Sequence, residues 1–360
     1  MSTPTQFVTL SRSDSKFKSY IYGTFSKELR AIPAKNLNVN TVSELVTFKI
    51  VAKKDVARPG IPVLLWHIFR GPMSLMVLTP SIALLGLFNF SDVSYSSTLF
   101  VFAVVASWLL QMSVFFYNDF VDYAVGSDRM NSNEGSKYLQ MGWVSPIHIL
   151  RMAQIFLTVG VLLGAVLVFQ KPSTLVVISI AAAVGIFGYS FPNVGFKRLG
   201  LAELTVFWCF GPLVTLGLHQ LLVNATVVDD LLLKSFLVGV LFGHANVMVV
   251  QFRQLESSMS DALVKVKTFA VRLGFDKTKA FLMLQLLGHA AVVVAINLAL
   301  KTTALVHVVN AFYILGLLVI FSKLKAIPSP AGSRLQGLSN QLSVYSFLYA
   351  SLYFFVSQYA

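Results

Sequence analysis

The stretch STLFVFAVVASWLLQMSVFFYNDFVDYAVGSD, residues 97–128, decides the fold class. Its first 20 residues carry no charge, about the length an α-helix needs to cross the hydrocarbon of a bilayer. Hydrocarbon offers no water to pair backbone N–H and C=O groups, so the segment must be helical. Its far end then turns polar, with Asn118, Asp119, Asp122 and Asp128 crowded together. Carboxylates at membrane depth are costly and read by default as functional.

Eight more apolar stretches accompany this one, giving nine expected spans at about 71–90, 97–117, 147–169, 174–191, 201–222, 231–251, 279–299, 303–322 and 340–358. Over the whole chain 56% of residues are hydrophobic and 12% charged, against roughly 45–50% and 25% in soluble domains. The reading is an all-α, polytopic integral membrane protein whose partner is the lipid bilayer. Cys209 is the only cysteine, which excludes an intrachain disulfide and a thiolate metal cluster. The histidines are scattered without metal-ligand spacing. Residues 1–60 hold ten Lys/Arg against Asp14, Glu28, Glu44 and Asp55. They read as a water-exposed basic extension, free to be flexible, ahead of a nine-helix domain over 61–360.

The net charge of +13 would suggest nucleic acid in a soluble protein, but here it is a topology signal and no nucleic-acid partner is expected. Nine spans sort the loops onto two sides. One side takes 25 of the 28 Lys/Arg, leaving Lys171, Lys234 and Lys301 to the other. The positive-inside rule puts the basic side, with the N-terminus, in the cytoplasm or its equivalent. A bacterial inner membrane is the expected location, an organellar membrane the other placement. The two long loops on that side follow spans two and six, which suggests two four-helix halves from an internal duplication, with one helix appended.

If span two stays helical to its polar end, Asn118 and Asp122 are i,i+4 and Asp119 and Asp122 are i,i+3, so they share a face. Like charges so placed repel unless a cation lies between them. Oxygen-only ligands favour a hard ion such as magnesium, which binds through one or two carboxylates, waters and phosphate oxygens. Asp119, Asp122 and Asp128 are therefore candidate metal ligands, and Lys137 is a candidate phosphate contact. A solvated interfacial loop is the plainer alternative. Span six ends in QFRQLESSMSD (251–261), followed by Lys265 and Lys267. Glu256 and Asp261 could hold a second cation if the helix breaks between them, and Arg253, Lys265 and Lys267 could meet the charge of a departing pyrophosphate.

These residues resemble the UbiA superfamily of intramembrane prenyltransferases. The carriers are NDFVDYAVGSD (118–128), GLAELTVFWCFGPL (200–213), TFAVRLG (268–274), and Tyr189-Ser190-Phe191-Pro192 with Lys197-Arg198. Within the superfamily they look most like 1,4-dihydroxy-2-naphthoate polyprenyltransferases of menaquinone synthesis, over about residues 64–358. The resemblance implies a central cavity open to the cytoplasmic side, a Mg2+ cofactor, and polyprenyl diphosphate and aromatic acid substrates. It implies catalytic roles for Asp119, Asp122, Asp261 and Tyr189, and puts Asn118, Arg253 and the lysines of the loops near the diphosphate. Arg70 with Lys197 or Arg198 is the choice for the acceptor carboxylate. One departure stands out: relatives carry Asn and Asp where this chain has Gln251 and Gln254. Asp261 takes the second aspartate's place counting back from Thr268 but not counting forward from Arg253, and Glu256 is the other candidate substitute. Other acceptors (4-hydroxybenzoate, homogentisate, haem, a glycerol phosphate), a transporter, and a non-catalytic quinone carrier or scaffold are the competing functions.

The charge census yields a direct test of topology. In a Cys209→Ser background, Lys265→Cys should react with an impermeant maleimide only from the cytoplasmic side and Lys301→Cys only from the other. Labelling of both from one side would overturn the assignment.

Overall fold

The computed structural model describes residues 6–34, 44–130, 136–189, 195–223, 230–330 and 334–359. The chain begins with an antiparallel sheet rather than a tail: β1 (Gln6–Ser11), β2 (Leu29–Pro33) and β3 (Leu45–Ala52) in the order β1-β3-β2, with α1 (Phe17–Ile21) packed on one face. Alternation along β3 explains it. Val46, Phe48 and Ile50 are 0%, 0% and 6% exposed, while Leu45 and Lys49 point outward, the period-two pattern of a half-buried strand. Phe48 meets the rings of Phe17 and Tyr20. The flexible extension expected from charge is therefore corrected over the described residues, because a short alternating run supplies a small core of its own.

The rest is helical. After α2 (Ile61–Ile68) and a 3-10 stretch (Gly71–Met76) come α3 (Leu78–Phe90), α4 (Ser97–Val125), the short α5 (Ser127–Met130) and α6 (Lys137–Gln140), then α7 (Pro146–Val168) and α8 (Pro172–Tyr189). The second half has the short α9 (Phe196–Leu199), α10 (Ala202–Cys209), α11 (Pro212–Leu222), α12 (Asp230–Leu263), the short α13 (Phe269–Leu273), α14 (Phe275–Ala299), α15 (Ala304–Lys325) and α16 (Arg334–Ser357). Among the described residues seven segments are long and apolar enough to cross a membrane: 71–90, 97–125, 146–168, 202–222, 230–263, 275–299 and 304–325. The other two expected spans are a shorter apolar helix at 174–189 and α16. The latter is less apolar because Ser339, Ser343 and Ser346 are turned into the bundle.

The helices break at two Gly-Pro pairs: Gly71-Pro72, where a 3-10 stretch opens the first span, and Gly211-Pro212, within the span 202–222. Non-helical backbone at membrane depth must find its partners within the protein. In the first break the Gln111 amide donates to the Met73 carbonyl at 2.9 Å and accepts from the Val77 N–H at 3.1 Å. At the second, Asn246 Nδ2 donates to the Phe210 carbonyl at 2.8 Å and also to Met76 at 3.1 Å, tying the two breaks together. Gln111 lies eight residues before Asp119, and Asn246 eight before Gln254, so corresponding amides serve the two halves. Close approach here needs glycine: a Cβ on Gly243 would lie 2.6 Å from the Phe207 carbonyl, and one on Gly211 2.4 Å from that of Gly239, the small-residue crossing typical of membrane helices.

The polar end of span two is helical, as its face-sharing spacing requires, and so is that of span six, where an ion shared by Glu256 and Asp261 would need a break. The helix of α4 runs on to Val125 and stops at Gly126, whose φ of 98° provides the left-handed cap. The helix of α12 continues unbroken to Leu263.

Asn246→Leu should leave the Met76 and Phe210 carbonyls without this donor, at a cost of about 1–3 kcal/mol. Thermal unfolding in detergent should show a melting temperature lower by a few degrees with helix content kept. Unchanged melting would mean the breaks are held by other groups.

Candidate functional site

Continuation of α4 past the apolar stretch brings Asn118, Asp119 and Asp122 to the wall of one cavity of about 270 Å³. Asp128 on α5, Lys197 on α9, Tyr189 at the end of α8, and Arg253, Gln254 and Asp261 on α12 line the same cavity. Arg70, just before the first helix break, completes it. The charged lining thus has four carboxylates and three cations.

Two of these carboxylates are ion-paired, and the other charges are held by neutral groups. The Arg70 guanidinium grips Asp119 with Nε and Nη2 on the two carboxylate oxygens, and Tyr138 OH donates to Asp119 Oδ2 at 2.6 Å. Arg70 also lies 5.0 Å from the Phe115 ring centroid, a cation–π contact. Its φ of 56° is left-handed, an uncommon backbone for a residue with a Cβ, of the kind that collects at functional sites. Lys197 Nζ donates to Asp122 Oδ2 at 2.8 Å, as does Asn118 Nδ2 at 2.8 Å. Asp261 accepts from Ser257 Oγ at 2.7 Å. Arg253 is anchored on α16 by Ser339 Oγ at 3.3 Å and Asn340 Oδ1 at 3.1 Å.

Burial alone would lower the basicity of Lys197, but the charges of Asp122 and then Asp261 more than restore it, so its pKa rises. One ammonium thus binds Asp122 and lies within electrostatic range of Asp261 on α12. Arg70 is raised in the same way, with Asp119 outweighing burial. Burial, and then the charges of Asp122 and Asp119, push Asp128 up to about 7, against the hydrogen bonds it accepts from Ser136 N–H at 3.0 Å and Oγ at 2.5 Å. Burial and Asp119 raise the Tyr138 phenol well above its ordinary value.

Several sequence expectations need correction. With α12 unbroken, Glu256 and Asp261 are five residues apart and about 140° around the helix, so they cannot grip one ion. Asp261 faces the cavity, whereas Glu256 Oε2 accepts the Gln336 N–H of α16 at 2.7 Å and caps that helix. Lys137, Lys265 and Lys267 are exposed and line no part of the cavity, and Arg198 is also outside it. Arg70 and Lys197, expected on an acceptor carboxylate, are instead engaged by Asp119 and Asp122. Of the tyrosines near the motifs, Tyr189 lines the cavity, while Tyr117 and Tyr123 do not. Residues 131–135 and 190–194, including Ser190, Phe191 and Pro192, lie outside the described residues. Sequence reasoning missed Tyr138, although its neighbour Lys137 was singled out. It also missed Trp66, Phe115, Phe210 and Asn340, for which the sequence carries no signal beyond an aromatic or amide in an apolar run.

The donor set is all oxygen at its anionic positions, as a hard cation requires. Among the described residues no three His, Cys, Asp or Glu side chains form a ready-made metal cage. That agrees with an ion that takes one or two carboxylates and completes its shell with water and phosphate.

Among solved structures, an apo UbiA homolog from Aeropyrum pernix K1 superposes with a TM-score of 0.62 at 16% identity, covering 78% of this chain and 97% of that one. A UbiA homolog from Archaeoglobus fulgidus bound to GPP and Mg2+ gives 0.54 at 15% identity, over 82% and 99%. The same homolog bound to DMAPP and Mg2+ gives 0.52 at 14%, over 80% and 99%. At these identities the likeness is one of fold. No curated protein matches the chain in sequence. The model of the UbiA prenyltransferase family matches residues 75–333, well over half the length, and the solved UbiA homologs share the fold: this integral membrane chain belongs to the UbiA prenyltransferase family.

Proposed function

We propose that the protein transfers a polyprenyl chain from its diphosphate to an aromatic acceptor, with 1,4-dihydroxy-2-naphthoate as the acceptor, giving a demethylmenaquinone in its reduced, quinol form. The observation that carries the reaction type is the convergence of Asp119, Asp122, Asp128 and Asp261, from both halves, on one cavity with Arg70, Lys197 and Arg253. The acceptor choice rests on the GLAELTVFWCFGPL and TFAVRLG segments. The carboxylates fit Mg2+, seen with prenyl diphosphates in the Archaeoglobus homolog. Bound there, the ion supplies Lewis-acid stabilisation of the pyrophosphate leaving group.

The chain's own residues do the rest. Asp119 and Asp122 are the favoured ligands, with Asp128 and Asp261 beside them. With these carboxylates holding Mg2+, Arg70 and Lys197 would be released from them and, with Arg253, would donate to diphosphate oxygens. The allylic C–O bond then breaks with its electron pair leaving on pyrophosphate. The allylic cation faces Phe115, Phe210, Trp66 and Tyr189, whose rings stabilise positive charge without capturing it. The acceptor ring carbon forms the new C–C bond, and its carboxylate leaves as carbon dioxide, returning the bonding electron pair to restore the aromatic ring. Apolar walls of Met73, Met76, Val114, Val206 and Val250 suit the isoprenoid chain. Gln254 and Gln251 in place of an acid and an amide of the family pattern, with Glu256 diverted to α16, favour the non-catalytic carrier as the second reading.

Two experiments decide between them. Purified protein with Mg2+ and radiolabelled polyprenyl diphosphate, offered a panel of aromatic acids, should label the naphthoate. Asp119→Ala and Asp122→Ala should each lower turnover by roughly 10²-fold or more with expression unchanged. Labelling of a different acceptor alone overturns the acceptor choice, and no transfer to any acceptor favours the carrier. Second, Mg2+ affinity should depend on pH. Asp128, raised to about 7, is protonated below that value, and an ion must displace the proton to use it. Mg2+ affinity, read by calorimetry without substrate turnover, should therefore rise between pH 6 and pH 8, by up to roughly tenfold. The ion-free protein has the opposite trend. A carboxyl whose folded pKa lies above its unfolded value costs stability as pH climbs toward 7. A flat Mg2+ affinity over that range would remove Asp128 from the ligand set.

A further inference from the structure

The seam between the N-terminal sheet and the membrane bundle gathers cations that, among the described residues, have no ion-paired acid. Its members are Arg30 of β2, Lys53 and Arg58 after β3, and His148 and Arg151 on the first turns of α7. His148 lies within electrostatic range of Arg30, Arg151 and Lys53, and Arg30 within range of Arg58. Backbone contacts bring them together. The Lys53 N–H donates to the Glu28 carbonyl at 2.9 Å, Trp143 Nε1 to Ala57 at 2.9 Å, and the Ile147 N–H to Tyr22 at 3.1 Å. Arg30 sits opposite Val51 in the sheet, and His148 and Arg151, three residues apart, share a face of α7.

The ion pairs among the described residues join Arg12 to Glu44, Arg70 to Asp119, Lys197 to Asp122 and Lys234 to Asp230, and so include none of the five. Glu28 and Asp55, the acids nearest in sequence, are exposed and make no such pair. Arg30 is the decisive member. It is 6% exposed, and its Nε has no hydrogen-bond partner. A buried guanidinium N–H without an acceptor, held beside other cations, is stabilised when an anion accepts it. Burial and then Arg58 hold its pKa below the ordinary value. The start of α7 adds positive dipole to the same place, and its Ser145 hydroxyl donates to the Gly23 carbonyl instead of capping the helix.

We propose that this seam binds a phosphate-bearing anion, with Arg30 and Arg151 as its principal donors. The start of a membrane helix lies at the level of lipid headgroups, so the phosphate of an anionic phospholipid is the source the location favours. A soluble phosphate offers the same chemistry. Either anion would fasten the sheet to the bundle beside Phe120, whose ring meets Tyr22 at 5.1 Å next to Asp119 in the chain.

Native mass spectrometry of the full chain in detergent, with phosphatidylglycerol or phosphatidylcholine added, tests the site. Wild type should retain phosphatidylglycerol in preference, and Arg30→Gln and Arg151→Gln should each reduce that retention by about tenfold. Arg151 is exposed, so its variant keeps the test valid if Arg30→Gln fails to fold. Displacement of the lipid by millimolar inorganic phosphate, or a phosphate-dependent rise in melting temperature that both variants lose, would assign the site to a soluble anion. Equal retention of both lipids by wild type with no response to phosphate, or unchanged binding in the variants, overturns the proposal.

Discussion

The neutralisation of Asp119 by Arg70 and of Asp122 by Lys197 at the edge of the bilayer is the constraint around which the rest is arranged. A carboxylate largely withdrawn from water is tolerable only if a cation or donor meets it. Each cation comes from a different place in the chain, Arg70 from the first helix break and Lys197 from the turn opening the second half. Because Lys197 also feels Asp261, the arrangement joins the two halves electrostatically. A compensated cluster of this kind can be stable alone and still exchange its partners when a metal and an anion arrive together.

The cavity exists because two helices are interrupted there. Arg70 and Met73 at the first interruption and Phe210 at the second border the cavity. Gln111 and Asn246 meet the backbone groups those interruptions release, and Gly211, Gly239 and Gly243 let α12 approach closely enough for Asn246 to reach both. Packing and polar satisfaction are here the same device: the amide that stabilises the breaks needs the glycine contact to be in range.

Much of this was legible in the sequence, for reasons that can be named. Apolar length alone locates the helices, since hydrocarbon permits little else, and the spacing of Asn118, Asp119 and Asp122 fixes a common face once the helix is known to continue. Helix continuity was harder to read at 251–263. Glu256 and Asp261 can share an ion only if the helix breaks between them, and with Gln254 in the place of an acid Glu256 reads as a candidate ligand. Lys137 was chosen over Tyr138 because charge is visible in a sequence while the direction of a short helical turn is not. Matched pairs were invisible for a similar reason: Arg70 and Asp119 are 49 residues apart, and nothing local says they meet. The sheet was readable from the alternation Val46, Phe48, Ile50, but the basic composition of the first 60 residues argued more loudly for a tail.

That sheet also imposes an order on biogenesis. Its strands are complete by Ala52, yet the surfaces it rests on, Trp143, Ser145 and Ile147, are synthesised only after the first two spans. The nascent N-terminal unit must therefore wait, solvated and unseated, while a hairpin of helices enters the lipid. Its final docking reports that the third span has begun to thread, and so couples maturation of the water-facing part of the molecule to insertion of the buried part.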